Sequence, residues 1–263
     1  HRLNLAITCG RCHGDPSVMQ GTSISNRPFL SYQESVHARA ISRGNTSAAV
    51  CTDCHSGHDI LPASDTQSPI SKRNIPTTCG KCHASIAIEF NQSVHGQAVA
   101  RGVSRAPVCT DCHGIHGIKQ PTEPDTATAT QAMATGTCTQ CHESVTLTQE
   151  FGVAGQRVSS YKDSYHGLAA TAGSKLVANC ASCHGVHNIL PSSDARSMIS
   201  ANSLQQTCGQ CHPGATMNFA NSKVHLNVAA KDIGSVGTKW VRRIYLPLIV
   251  FVIGGMVVHN ALI

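Results

Sequence analysis

Ser93–His116 reads SVHGQAVARGVSRAPVCTDCHGIH, and its three histidines hold fixed positions around two cysteines. His95 lies 14 residues before Cys109, His113 directly follows Cys112, and His116 comes three positions later. Moving outward, the same arrangement returns. YQESVH ends at His37, YKDSYH at His166 and FANSKVH at His225, and His37 and His166 again stand 14 residues before a cysteine. CHSGH and CHGVH place His58 and His187 as CHGIH places His116.

The Cys-x-x-Cys-His element occurs seven times and consumes all fourteen cysteines. The copies are Cys9-Cys12-His13, Cys51-Cys54-His55, Cys79-Cys82-His83, Cys109-Cys112-His113, Cys138-Cys141-His142, Cys180-Cys183-His184 and Cys208-Cys211-His212. This spacing is the attachment signature of c-type haem, with two thiols adding to the porphyrin vinyl groups and the adjacent histidine as proximal iron ligand. A zinc ribbon needs two cysteine pairs to close a tetrahedron and demands no histidine after every second cysteine. A disulfide framework demands none either.

Composition points the same way. Only 4% of the residues are aromatic, too few to fill several conventional cores in 263 residues. Seven porphyrins would supply the missing apolar volume. The formal charge of +6 is then misleading. With every propionate ionised, seven haems bring the molecule to roughly −1 when oxidised and roughly −8 when reduced. Scattered basic residues and the lack of aromatic platforms exclude a nucleic-acid partner.

A shift of 129 residues carries Cys9, Cys51 and Cys79 onto Cys138, Cys180 and Cys208, and His37 and His58 onto His166 and His187. HDILPASD at His58 answers HNILPSSD at His187. The expectation is a mainly α protein with much irregular loop, built as a tandem duplication of a four-haem unit whose second copy keeps three haems. Residues 1–120 form the first module, 121–137 a Pro/Thr/Ala-rich linker, 138–238 the second module and 239–263 a transmembrane helix. Where an eighth motif would fall, at Lys239, the membrane segment begins.

Sixteen histidines less seven proximal ones leave nine, and the two recurring patterns supply seven: His37, His58, His95, His116, His166, His187 and His225. These are the expected distal ligands, because repeated units bury equivalent groups equivalently. A histidine three residues after a proximal ligand reaches at most ~10 Å along the chain and cannot round its own porphyrin. His58, His116 and His187 are therefore expected to serve neighbouring haems.

On these motifs, across residues 9 to 225, the chain resembles the periplasmic multihaem cytochromes c that move electrons between membrane quinone enzymes and soluble or extracellular partners. The resemblance implies bis-histidine haems packed alternately parallel and perpendicular. The missing eighth motif departs from the tetrahaem and octahaem forms. The competing class is an enzyme, a multihaem reductase of nitrite, hydroxylamine or a sulfur oxyanion, which needs one open iron.

From Ile244 to Ile263, IYLPLIVFVIGGMVVHNALI carries no charge over 20 positions, enough to cross a ~30 Å hydrocarbon core. Trp240 and Tyr245 suit the headgroup boundary, and Pro247 is expected in the first helical turn. Haem c is attached after export, so residues 1–238 are expected on the periplasmic face, leaving Lys239, Arg242 and Arg243 on the side the positive-inside trend disfavours. A cleaved leader and a continuation past Ile263 are expected. His259, deep in the span, is a candidate for a membrane b-type haem or quinone site. The tail is similar to segments that join a multihaem head to a cytochrome b-like, quinone-reactive membrane partner.

Overall fold

The computed structural model describes residues 2–22, 27–152, 156–222, 224–225 and 233–262. Short helices joined by turns make up the body, and there is no strand among the described residues.

The helices are short because each carries one functional element between strong terminators. Helix α1 spans Leu5–His13 and α2 spans Val36–Ser42. Helices α3 (Cys51–His55), α4 (Ile75–Gly80), α5 (Val94–Ala100) and α6 (Cys109–His113) follow. The second half repeats the series as α7 (Thr139–His142), α8 (Tyr165–Thr171), α9 (Cys180–His184) and α10 (Leu204–Gly209).

Equivalent capping bonds fix each copy. Asp53 accepts the Val50 N–H at 2.7 Å, and Asp111 accepts the Val108 N–H at the same distance. At α9, Asn179 and Ser182 exchange two such bonds, both at 3.1 Å. The five-residue helices α3, α6 and α9 then stop at a residue with positive φ, which is Ser56 at +70°, Gly114 at +79° and Gly185 at +80°. Helices α2, α5 and α8 start at Ser35, Ser93 and Ser164, whose hydroxyls accept the N–H of Ala38, Gly96 and Gly167. His37, His95 and His166 thus all sit at the second helical position.

Hydrogen bonds recur at the 129-residue spacing. Tyr32 donates to the Ala49 carbonyl at 2.9 Å, as Tyr161 does to Ala178 at 3.0 Å. Ser68 donates to Leu61 as Ser197 does to Leu190, and Thr78 to Pro69 as Thr207 does to Met198.

A finer recurrence of turns runs through three segments, one of them in the expected linker. Between Pro62 and Ser71 three successive turns climb through the N–H groups of Asp65, Ser68 and Ser71, and the same ladder runs through Asp194, Ser197 and Ser200. Glu123, Thr126 and Ala129 make a third, bonding to Gln120, Glu123 and Thr126. The first part of the 121–137 segment thus carries a third copy of this ladder, which ends at Ala129, and two short helical turns, Thr130–Ala132 and Met133–Thr137, follow it. Glu123 is held by Arg39 at 2.6 Å, and Ala134 is buried against Tyr161 and Ala170. Its composition reads as a spacer because turns built on Pro, Thr and Asp need no apolar periodicity.

Two small apolar clusters form, one of Ile75, Val99, Ala106 and Val108, the other of Ala134, Tyr161 and Ala170. Neither is large enough to act as the core of a body this size.

Helix α11, Ile233–Leu262, stands apart, and Lys239–Leu262 is long and apolar enough to cross a membrane, with none of it buried. It begins earlier than the charge-free run suggested. Pro247 consequently lies well inside the helix, not in its first turn, and removes one backbone hydrogen bond there. Ile263, the last residue of the expected span, lies outside the described residues.

Candidate functional site

Six pairs of imidazoles face each other across the body. His37 faces His83 with ring centroids 6.3 Å apart, His55 faces His116 at 6.0 Å, and His95 faces His142 at 6.2 Å. His113 and His187 stand 6.1 Å apart, His166 and His212 6.1 Å, and His184 and His225 6.2 Å. Each pair joins one CxxCH histidine to one histidine of the two recurring patterns.

That spacing has a chemical meaning. Two metal–imidazole bonds of about 2.0 Å, each extended ~1.2 Å to the ring centre, put rings on opposite sides of one ion at about 6.4 Å. Other ring contacts in the body run from 5.0 Å for His212–Phe219 to 6.4 Å for Tyr165–His166, so what singles out these six is the recurring pairing of a CxxCH histidine with a pattern histidine. The donor set thus fits an axially ligated iron. Among the described residues no three His, Cys, Asp or Glu side chains converge on one point, which is the arrangement a zinc tetrahedron requires.

The pairs fall into two geometries according to their source. Histidines from CHxxH loops lie nearly parallel to their partners, at 1° for His55–His116 and 16° for His113–His187. Those from the Ser-capped helices are tilted at 48°, 52° and 49°. His225 is tilted at 42°. Its Nδ1 lies 2.9 Å from the Arg157 carbonyl and 3.1 Å from Ser160 Oγ, which leaves Nε2 as the free nitrogen.

Loops and capped helices are stitched together. Val36, beside His37, donates its N–H to Ile118 O at 2.8 Å, and Val94, beside His95, donates to Ile189 O at 2.9 Å. Each bond ties a distal candidate on a helix to the loop carrying another, His116 or His187.

Burial favours the neutral form, in which an imidazole can bind a metal, for nine of these side chains. His95 is pushed down to about 4, first by burial and then by His142. Burial is also the largest cause of the lowered pKa of His37, His55, His113, His116, His142, His166, His184 and His225.

The cysteines order the motifs. Cys9 and Cys51 share a thiol hydrogen bond, as do Cys79 and Cys109, and Cys138 and Cys180. Cys54 feels Cys79 and Cys82, Cys112 feels Cys141, and Cys183 feels Cys208 and Cys211. Each motif therefore neighbours the next along the sequence, from Cys9 to Cys211, in one continuous series.

Two expected ligands stand apart. No imidazole among the described residues faces His13, and none faces His58. Among the described residues six of the expected seven pairs form. His116 and His187 each face the motif two before their own. His259 lies on the exposed surface of α11. The ladder copies at 62, 120 and 191 were missed from sequence, although a 58-residue shift of Cys51 onto Cys109 also aligns Asp65 with Glu123.

Comparison with protein-family models, curated proteins and solved structures finds no match to this chain.

Proposed function

We propose that the chain is a membrane-anchored electron carrier holding seven c-type haems in a series, built as a tandem duplication of a four-haem unit with three haems kept in the second copy. The observation that carries this reading is the set of six imidazole pairs at 6.0–6.3 Å, each beside the cysteines of its own motif. Each bound haem would supply reversible one-electron chemistry at its iron.

The protein's own contribution is placement. The fourteen cysteines would hold the porphyrins by thioether bonds, and His13, His55, His83, His113, His142, His184 and His212 would bind the irons on the proximal side. His37, His95, His116, His166, His187 and His225 would close six distal sides. Burial of His37 and His95 favours their unprotonated, metal-binding form. Contact between consecutive motifs at their cysteines supports passage of electrons along the series without a mobile carrier.

Helix α11 would anchor the body on the periplasmic face of the membrane, beside a cytochrome b-like or quinone-reactive partner, with soluble or extracellular redox proteins at the other end. Pyridine haemochrome titration of the full chain tests the reading. It should give seven c-type haems per polypeptide; a chain matured in a host competent for haem attachment that carries none would refute it.

A further inference from the structure

His225 belongs by sequence pattern with His37, His95 and His166, yet it turns the opposite way. Those three each face a motif that comes later in the chain, at His83, His142 and His212. His225 faces His184, which comes earlier. The sequence carries a cause. Ser35, Ser93 and Ser164 stand two residues before their histidines, whereas Lys223 is inserted in the fourth copy and puts Ser222 three residues before His225. His225 accordingly lies in a bend and not at the second position of a capped helix.

The place that receives it is a corner used once before. A shift of 129 residues carries Ser31 onto Ser160, Tyr32 onto Tyr161 and the His55 motif onto the His184 motif. In the first copy Ser31 backs the loop of His116, which faces His55: the Ser31 Cβ and carbonyl oxygen lie 3.6 Å from a Cβ built on Gly117. In the second copy the residue 129 positions after His116 is Tyr245, inside α11, so that register supplies no loop histidine to His184. The corner at Ser160 takes His225 instead.

Three contacts fix the imidazole there. Ser160, in the helix Arg157–Lys162, donates its hydroxyl proton to the Arg157 carbonyl at 2.9 Å, so its Oγ lone pairs are free for the His225 Nδ1 at 3.1 Å. The same Nδ1 lies 2.9 Å from that carbonyl. A carbonyl oxygen only accepts, so Nδ1 carries the proton and shares it between two oxygens, while Nε2 keeps the lone pair a metal needs. Ser160 is 7% exposed, and a hydrogen bond so sheltered holds its geometry against water.

Building on the seven-haem reading, we infer that Ser160 is the positioning residue of the sixth iron site: with the Arg157 carbonyl it captures His225 as distal ligand in place of the loop histidine that serves the second site. Sites two and six, equivalent by duplication, then differ in ligand source and in ring plane, at 1° against 42°. The bond from Nδ1–H makes His225 a more basic ligand and fixes its orientation. His225 is also the paired histidine nearest in sequence to α11, so the sixth site takes its distal ligand from the chain that leads to the membrane helix.

Electron paramagnetic resonance on the full haem-loaded ferric chain tests this, because a low-spin signal responds to the orientation of its axial rings. H225A should add one high-spin iron relative to the unmodified chain, and added imidazole should return it to low spin. S160A should shift one low-spin signal, the one that H225A removes, and S160T, which keeps the hydroxyl, should leave that signal in place. Unchanged high-spin content in H225A, an S160A spectrum identical to that of the unmodified chain, an equal shift in S160T, or a shift that persists when S160A is combined with H225A would overturn the inference. If H225A fails to mature, the contrast between S160A and S160T still decides. A haemochrome count of zero would instead strike the proposed function, so the two failures are distinguishable.

Discussion

Replacing Ser56 with glycine should stabilise the protein, and replacing Gly114 with serine should destabilise it by a similar amount. Ser56 stands at φ +70° and ψ 171°, and Gly114, at the same place in the next copy, at φ +79° and ψ 177°. This region is essentially reserved for glycine, and a side chain there costs about 1–3 kcal/mol. Glycine returns about 0.5–1 kcal/mol of that through the greater freedom of the unfolded chain. The net gain expected for S56G is therefore roughly 0.5–2 kcal/mol. Nothing lies within 4 Å of a Cβ built on Gly114, so G114S carries the backbone cost alone, with the opposite sign. Guanidinium unfolding of the haem-loaded chain, followed by far-ultraviolet circular dichroism, gives both values from the shift in midpoint. A midpoint that falls in S56G, or an unchanged one in G114S, would refute the reasoning, since both variants test one backbone conformation in opposite directions.

Ser93→Ala should cost about 1–2 kcal/mol in the same assay, because a fully buried cap loses its bonds to the Gly96 N–H and the Phe90 carbonyl; an effect no larger than that of an exposed serine would contradict the capping role. Acid should destabilise the fold. The His95 pKa falls to about 4, so the unfolded chain takes up this proton from about pH 6.5 downward while the folded one stays neutral. That contribution is present above pH 6.5 and is lost as pH falls toward 4, and His95→Gln should flatten the slope in unfolding midpoints measured across this window; an equally steep slope in the variant would exclude His95 as its source. His259→Ala should abolish quinol-linked reduction of the c haems and leave the dithionite-reduced spectrum intact, and an unchanged quinol-linked rate would leave α11 as an anchor only.

Cys-x-x-Cys-His was legible in the sequence as a pattern, because its two thiols and the adjacent imidazole lie within five residues. The capped-helix histidines were legible for a similar reason: a serine three positions before the first free N–H it accepts is a local device. The apolar tail was legible from length alone, although its start was not, since Lys239, Arg242 and Arg243 continue a helix as readily as they flank one.

What the sequence left open was partnership. Counting seven proximal and seven patterned histidines suggests seven pairs, yet pairing depends on which segment reaches which motif across 41 to 74 residues, and no local signal encodes that direction. Only the tertiary structure assigns His116 to His55 and His187 to His113, and so leaves His13 and His58 apart. The same holds for residues 121–137. Their Pro/Thr composition does not show that Arg39 and Tyr161 hold the segment from distant parts of the chain, since neither contact is local in sequence.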